Sequence, residues 1–185
     1  MGKDFKRITL GSGDLYIAEF DGDTVPEKDA ICIDDNQAGY IQGGATLEYK
    51  PTFYTAKDDT GVCEKQIITE EEATLKSGIL TFNADTLKKL VATGRVKDAE
   101  DGKTRTILIG GIANADGKKY VICFHHKDPI DGDIWVIIVG QNQSGFSLAF
   151  AKDKETVIDA EFKALSQDNE GTLIRYIEEI KSEDA

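Results

Sequence analysis

His125 and His126 are the first residues to weigh for chemistry, because two imidazoles side by side suggest a metal site. They end an apolar run that reads as a strand. Consecutive strand residues point to opposite faces, so a regular strand cannot bring both rings to one ion. They read as polar residues at a strand end. Cys123 and His125 share a face, as a thiol–imidazole nucleophile pair would require. Cys123, however, lies in a run of buried type, where thiols are inert. Cys32, Cys63 and Cys123 are far apart in sequence and lack metal-ligand spacing, so they read as reduced, partly buried thiols. Glu70-Glu71-Glu72 places Glu70 and Glu72 on one strand face with Glu71 opposed, and reads as a solvated edge. Asp131-Gly132-Asp133 lacks the rest of a calcium loop and reads as a turn. The glycines from Gly110 to Gly117 precede no Lys-Ser/Thr pair and no helix, so they do not cradle a phosphate. The expectation is a protein that is not an enzyme and uses no metal or cofactor.

Composition narrows the class further. The 185 residues carry 22 Lys+Arg against 34 Asp+Glu, a formal charge of −12. The length suits one domain, here 1–185, with a core that needs no staples. Hydrophobic residues make up 40% and charged residues 30%, the balance of an ordinary globular chain. No apolar run approaches the roughly 20 residues that span a bilayer, and no signal-peptide core follows Met1, so a cytoplasmic origin and no membrane partner are expected. The acidic balance and the lack of a Lys/Arg cluster argue against wrapping nucleic acid on the general surface.

The elements that would position any site are mostly strands. Leu15 to Phe20, Tyr120 to Phe124 and Ile134 to Val139 are apolar runs that suit strands covered on both faces. Asp128-Pro129-Ile130-Asp131-Gly132-Asp133 is turn chemistry joining the last two into a hairpin. Thr156 to Leu165 alternates, with Ile158, Ala160, Phe162 and Ala164 on the apolar face. Arg105 to Ile109 and Phe146 to Phe150 read as further short strands. One helix, about 84–93, is capped by Asn83 or Asp85 and closed by Gly94 as its C′ residue. The tail Thr172 to Ile180 fits helix or strand. Glu19 to Asp35, with seven acids against Lys28 alone, and Val96 to Lys103 read as loops.

The stretch from about 45 to 82 is the most informative. Ala45, Leu47 and Tyr49 alternate with Thr46, Glu48 and Lys50. A turn at Lys57-Asp58-Asp59-Thr60-Gly61 leads into a second extended arm. Arms of about 11 residues span roughly 36 Å, twice the usual strand. Such a hairpin protrudes from a body of this size and exposes backbone edges that proteins normally cover. Its apolar residues, Leu47, Tyr49, Phe53, Tyr54, Ile67 and Ile68, suggest packing on neighbouring copies.

The order of these elements resembles the tail tube (major tail) proteins of tailed bacteriophages. The wording is similar too. Gly39-Tyr40-Ile41-Gln42-Gly43-Gly44-Ala45 leads into the hairpin, and Thr81-Phe82-Asn83-Ala84-Asp85-Thr86-Leu87 opens the helix. Phe162-Lys163-Ala164-Leu165 and Asp168-Asn169-Glu170-Gly171-Thr172-Leu173 follow late in the chain. The resemblance covers nearly the whole chain. It implies a mainly β fold, a β-sandwich or barrel with one short flanking helix and a long protruding hairpin, shared with type VI secretion and contractile-bacteriocin tube proteins. It also implies a structural virion protein that self-assembles into stacked homo-hexameric rings in the bacterial host cytoplasm. These rings form the virion tail tube, a conduit for DNA ejection.

The implied partners are tape-measure protein and DNA in the lumen, bound without sequence specificity, a baseplate and tail terminator and, in a contractile tail, a sheath. Thr46, Glu48, Lys50, Glu70 and Glu72 would then face the lumen. Phe53, Tyr54, Lys57, Asp58, Asp59 and Gly61, with Asp21 and Asp23, would meet neighbouring subunits or rings. The N-terminal arm 1–13, the turn Lys57–Gly61 and the acidic Glu19–Asp35 loop would order mainly on assembly. The alternatives are the inner tube of a contractile bacteriocin or injection system and, in another class, a β-sandwich binding module. The binding module would want exposed aromatics, whereas Trp135 sits in a core-like run.

Overall fold

The computed structural model of the chain describes residues 8–181. In chain order the elements are β1 (Asp14–Phe20), α1 (Lys28–Ile31), β2 (Gln37–Gly39), β3 (Ile41–Lys57), β4 (Glu64–Ile79) and α2 (Ala84–Lys89). They continue with β5 (Arg95–Asp98), β6 (Arg105–Leu108), β7 (Lys119–His126), β8 (Ile134–Asn142), β9 (Ile158–Leu165) and β10 (Arg175–Glu178). The fold is mainly β, as expected. Of the anticipated arm 1–13, residues 1–7 lie outside the described residues.

One antiparallel sheet runs in the order β2-β1-β7-β8-β9-β4-β3, with β10 beside β8. Only Tyr40 separates β2 from β3, so the two ends of the sheet are consecutive parts of one chain segment. The sheet therefore curls into a barrel. Gly39 makes the closure possible. Its φ of +135° suits glycine, and a side chain there would collide with the Thr81 carbonyl. Tyr40 takes over the pairing, donating its N–H to Thr81 Oγ1 and accepting from Leu80 and Thr81.

Alternation in the strands fills the barrel. Leu15, Ile17, Leu75, Ile79, Ile122, Ile138, Ile158 and Phe162 form the inner core. The opposite faces of β1, β7 and β8 carry Tyr16, Val121, Cys123, Trp135, Ile137 and Val139 in a second, outer core. This explains why β7 and β8 read as continuous apolar runs: both faces are covered. The cover is the acidic segment itself. Val25 and Ile31 are buried against the outer core, and Asn36 Nδ2 donates to the Ile31 carbonyl. The expectation of a 19–35 loop awaiting assembly is therefore corrected. Its apolar residues are few but well placed, and its start already belongs to β1.

The β7–β8 hairpin forms where expected, with His125 opposite Trp135. Asp128 Oδ1 accepts from Ile130 and Asp131 N–H, fixing the turn. Asn83 caps α2, its side-chain oxygen accepting from Asp85 and Thr86 N–H. The helix is shorter than the expected 84–93. Leu90 N–H tightens onto the Leu87 carbonyl, three residues back, and Gly94 closes a later turn on Val91. Leu87 and Leu90 plug one barrel mouth. Lys89 donates to the Ile17 carbonyl, and burial pushes its amine below the ordinary lysine range.

Three further expectations change. Phe146 to Phe150 is not a strand: β9 and β10 share the outer edge of β8, so no edge is free to pair it, and Phe146 and Leu148 pack as irregular chain. Val96 to Lys103 is not simply a loop. Arg95–Asp98 pairs with Arg105–Leu108, and the Arg105 guanidinium joins Asp98 to Asp85. The tail settles as strand β10, because β8 offers an edge from Ile134 to Ile137.

Gly39→Ala should lower stability by about 1–3 kcal/mol, the cost of holding a strained backbone position. Gly22→Ala provides the comparison, with φ of +98° but no atom within 4 Å of a new Cβ. Urea unfolding midpoints should fall further for Gly39→Ala than for Gly22→Ala. Equal losses would mean that the Thr81 approach does not govern closure.

Candidate assembly surface

The hairpin β3–β4 outgrows the barrel that carries it. β3 has 17 residues and β4 has 16, but β4 pairs with β9 only from Thr74 to Ile79. From Glu64 to Ala73, β4 has β3 as its sole strand partner among the described residues. At about 3.3 Å per residue this arm is roughly 30 Å long. Among the described residues β3 pairs only with β4 along its whole length, so there both outer edges of the arm present unpaired backbone.

The arm is not polar. Phe53 faces Ile68 across the ladder and Tyr54 faces Ile67, after a bulge between Thr52 and Phe53. These four side chains are 50%, 52%, 60% and 49% exposed, respectively. Leu47 and Tyr49 lie opposite the buried Leu75 and Ala73, so they share the core-side face as expected. Both nevertheless remain substantially exposed, because the barrel ends beneath them.

The tip is built by local hydrogen bonds. Asp58 Oδ1 accepts from Cys63 N–H, Asp58 Oδ2 accepts from Thr60, and Lys57 pairs with Glu64 at 3.2 Å. The Thr60 hydroxyl holds the Asp58 carboxyl below its ordinary range, with the Cys63 N–H adding to it. Gly61 takes φ of +68° and Asp59 is exposed. The turn is thus folded within one chain, correcting the expectation that it orders on assembly. Its two ends are already joined by the ladder, so a short Asx-type turn suffices.

The face opposite Phe53 and Ile68 carries Tyr54 and Ile67 near the tip and is charged closer to the barrel, and register assembles it. Thr46 lies opposite Lys76, Glu48 opposite Thr74, Lys50 opposite Glu72 and Thr52 opposite Glu70. Thr46, Glu48, Lys50, Glu70 and Glu72 therefore share one face, as their alternation predicts. β9 adds Glu161 and Lys163, which alternation alone does not bring there. Lys76 bridges Glu48 at 3.6 Å and Glu161 at 3.7 Å, while Lys163 meets Glu72 at 2.7 Å. Acid and base interleave across three strands instead of forming an acidic wall.

Asp21 and Asp23 are placed apart from the tip. β1 pairs antiparallel with β7 so that Asp14 lies toward the hairpin end and Phe20 toward the other. Both aspartates follow Phe20 and are exposed, at the barrel end away from the hairpin.

The residues first weighed for chemistry are engaged elsewhere. His125 Nε2 meets Asp133 Oδ2 at 2.7 Å, and its ring stacks on Trp135. His126 is buried and bonds through Nδ1 to the Ser12 carbonyl. Cys123 Sγ meets Cys32 Sγ at 3.6 Å, a proximity that sequence spacing does not reveal. Among the described residues, no group of three or more His, Cys, Asp or Glu side chains is arranged to hold a metal ion. A cleft of about 360 Å³ beside Gly43 and Gly44 is lined by Thr46, Lys76, Asp159 and Glu161, with no nucleophile–base pair. Neither protein-family models nor curated protein sequences match this chain.

The Lys163 ammonium, with Lys50 behind it, holds the Glu72 carboxyl below the ordinary range. A carboxyl with a depressed folded value stabilises the fold above its unfolded value and loses that contribution as pH falls through the folded one. The melting temperature of the parent should exceed that of Glu72→Gln at neutral pH. The gap should close below about pH 4, where the unfolded carboxyl protonates. A gap independent of pH would assign Glu72 a role other than this pair.

Proposed function

We propose that this chain is a self-assembling structural subunit of a hollow tube, of the phage tail-tube type. The observation that carries the reading is the hairpin: a roughly 30 Å arm with two free edges and six exposed apolar side chains. A solitary protein gains nothing from such an arm and risks aggregation through it. A second copy of the same chain removes both problems by covering the exposed apolar side chains and pairing the edges.

Polarity supports a tube. The hairpin leaves one end of the barrel and the acidic Asp21–Asp23 stretch occupies the other. Unlike surfaces at opposite ends suit head-to-tail contacts, which propagate. In this reading six copies close a ring through their sheets, and rings stack through the hairpins. The charged face with Thr46, Glu48, Lys50, Glu70 and Glu72 lines the lumen. Lys76 and Lys163 beside that face are tied to glutamates, which limits the counter-ions that passing DNA releases on contact. Tape-measure protein and DNA are the lumen contents, with a baseplate and terminator at the tube ends. The site of action is a virion tail.

The test is negative-stain electron microscopy of the purified protein at low and high salt, with sedimentation velocity in parallel. Hollow tubes or rings are expected, favoured by salt that screens the acidic surface over about 8–10 Å. Phe53→Asp with Tyr54→Asp should abolish assembly and leave the melting temperature within a few degrees. Glu48→Gln should leave assembly intact. A parent protein that stays monomeric even with preformed tube ends added would sink the proposal.

A further inference from the structure

We propose that Cys32 and Cys123 form a thiol–disulfide exchange site whose oxidation staples the acidic covering segment to the barrel. The two sulfurs lie 3.6 Å apart, although the residues are 91 positions apart in the chain. Cys123 sits in the middle of β7, fully buried, with β1 and β8 paired on either side of it. Cys32 ends the single turn of α1, is half-buried, and lies on a segment fastened mainly by Val25 and Ile31. One sulfur is therefore internal, inside the sheet, and the other is half-buried on the covering flap. A disulfide needs the sulfurs at about 2.05 Å. The short adjustment falls on the flap rather than on the sheet.

The surroundings divide the two roles. The sulfur–sulfur contact with Cys123 holds the Cys32 thiol below its ordinary value against the opposing effect of burial, and the Lys28 ammonium assists. The same contact and burial push Cys123 up. Lys28 is itself held near by the Trp135 ring, 4.3 Å from its centroid. Cys32 is thus the attacking thiolate and Cys123 the resolving thiol. The oxidant is a small-molecule disulfide. Cys32 sulfur attacks one of its sulfurs, a mixed disulfide forms, and the first small thiolate leaves and takes a proton from solvent. Cys123 then loses its proton to solvent and attacks Cys32 sulfur. The mixed disulfide breaks and the second small thiol departs. The protein loses two protons and two electrons, and the small disulfide gains them to become two thiols.

Closing so long a loop constrains the unfolded chain, so the staple should raise the melting temperature by roughly 5–15 °C. The experiment incubates Cys63→Ser, which removes the exposed third thiol, with oxidised glutathione at mildly alkaline pH. Intact mass, non-reducing peptide mapping and thermal melting are read before and after dithiothreitol. The expected result is a chain not cross-linked to another copy that has lost two hydrogens, carries a Cys32–Cys123 linked peptide, melts higher, and reverts on reduction. Cys32→Ser should show no link and no gain in melting temperature. A stable glutathione adduct on Cys32 with Cys123 unmodified would overturn the proposal. So would no reaction under conditions in which Cys63 of the parent chain is modified. A link that forms without raising the melting temperature would overturn the stapling role.

Discussion

Backbone hydrogen bonding at the edges of the sheet is the constraint on which the rest of this structure depends. A strand edge left open to water invites pairing, and closing the sheet on itself removes the edges. Here closure rests on one segment, residues 37–57, whose first part pairs with β1 and whose remainder pairs with β4. Among the described residues β1, β7, β8, β9 and the barrel part of β4 are paired on both sides, and β2 and β3 end the path with one strand partner each. β9, however, has only eight residues where β4 has 16. The mismatch does not remove the edge problem; it moves the problem outward, onto an arm where phenylalanine, tyrosine and isoleucine side chains stand beside unpaired backbone.

Closure also produces two cores from one sheet. Side chains alternate, so strands that fill the barrel with one face must hide the other face whenever it is apolar. β7 and β8 are apolar on both faces, and the chain answers with the 21–36 segment. That segment carries its acids outward and only a few apolar anchors inward. Its small number of apolar anchors and the Cys32–Cys123 contact beneath it are two consequences of one fact: a strongly acidic stretch has been recruited to cover a hydrophobic surface. The inner core, by contrast, draws on six strands and a helix and has no such loose side.

What was legible in the sequence follows the range of the interaction involved. Ile158, Ala160, Phe162 and Ala164 declare β9 by alternation, Asn83 declares the start of α2 by its short polar side chain, and the Asp128–Asp133 turn declares the β7–β8 hairpin. Each is settled within a few residues. The long hairpin was legible for the same reason, since both arms and the turn are contiguous. Long-range register was not. The Cys32–Cys123 contact, the arrival of Glu161 and Lys163 beside Glu72, and the occupied outer edge of β8 that denies Phe146–Phe150 a partner all depend on which strands become neighbours. The β5–β6 pair was hidden differently. Its short, charged arms lack apolar alternation, and Arg105 with two aspartates ties it to α2.

The charge distribution makes the last step. A net charge of −12 suggests repulsion between copies everywhere, but the structure does not spread it evenly. Where the arm leaves the barrel, Lys76 and Lys163 meet Glu48, Glu161 and Glu72 across three strands, and the tip carries Lys57 and Lys65 beside Asp58, Asp59 and Glu64. The unbalanced acids concentrate on the covering segment, on the outside and at the end opposite the hairpin. The arm, residues 49–73, carries three lysines against six acids, and the shorter covering segment, residues 21–36, one lysine against six, so a copy approaching arm-first meets a lower density of opposing charge. Approach through the covering segment brings acid against acid, in water where salt weakens but does not abolish the penalty. Under the tube proposal this asymmetry selects one mode of contact among several that the exposed apolar side chains alone would permit. Hydrophobic area supplies the attraction, and misplaced charge supplies the direction.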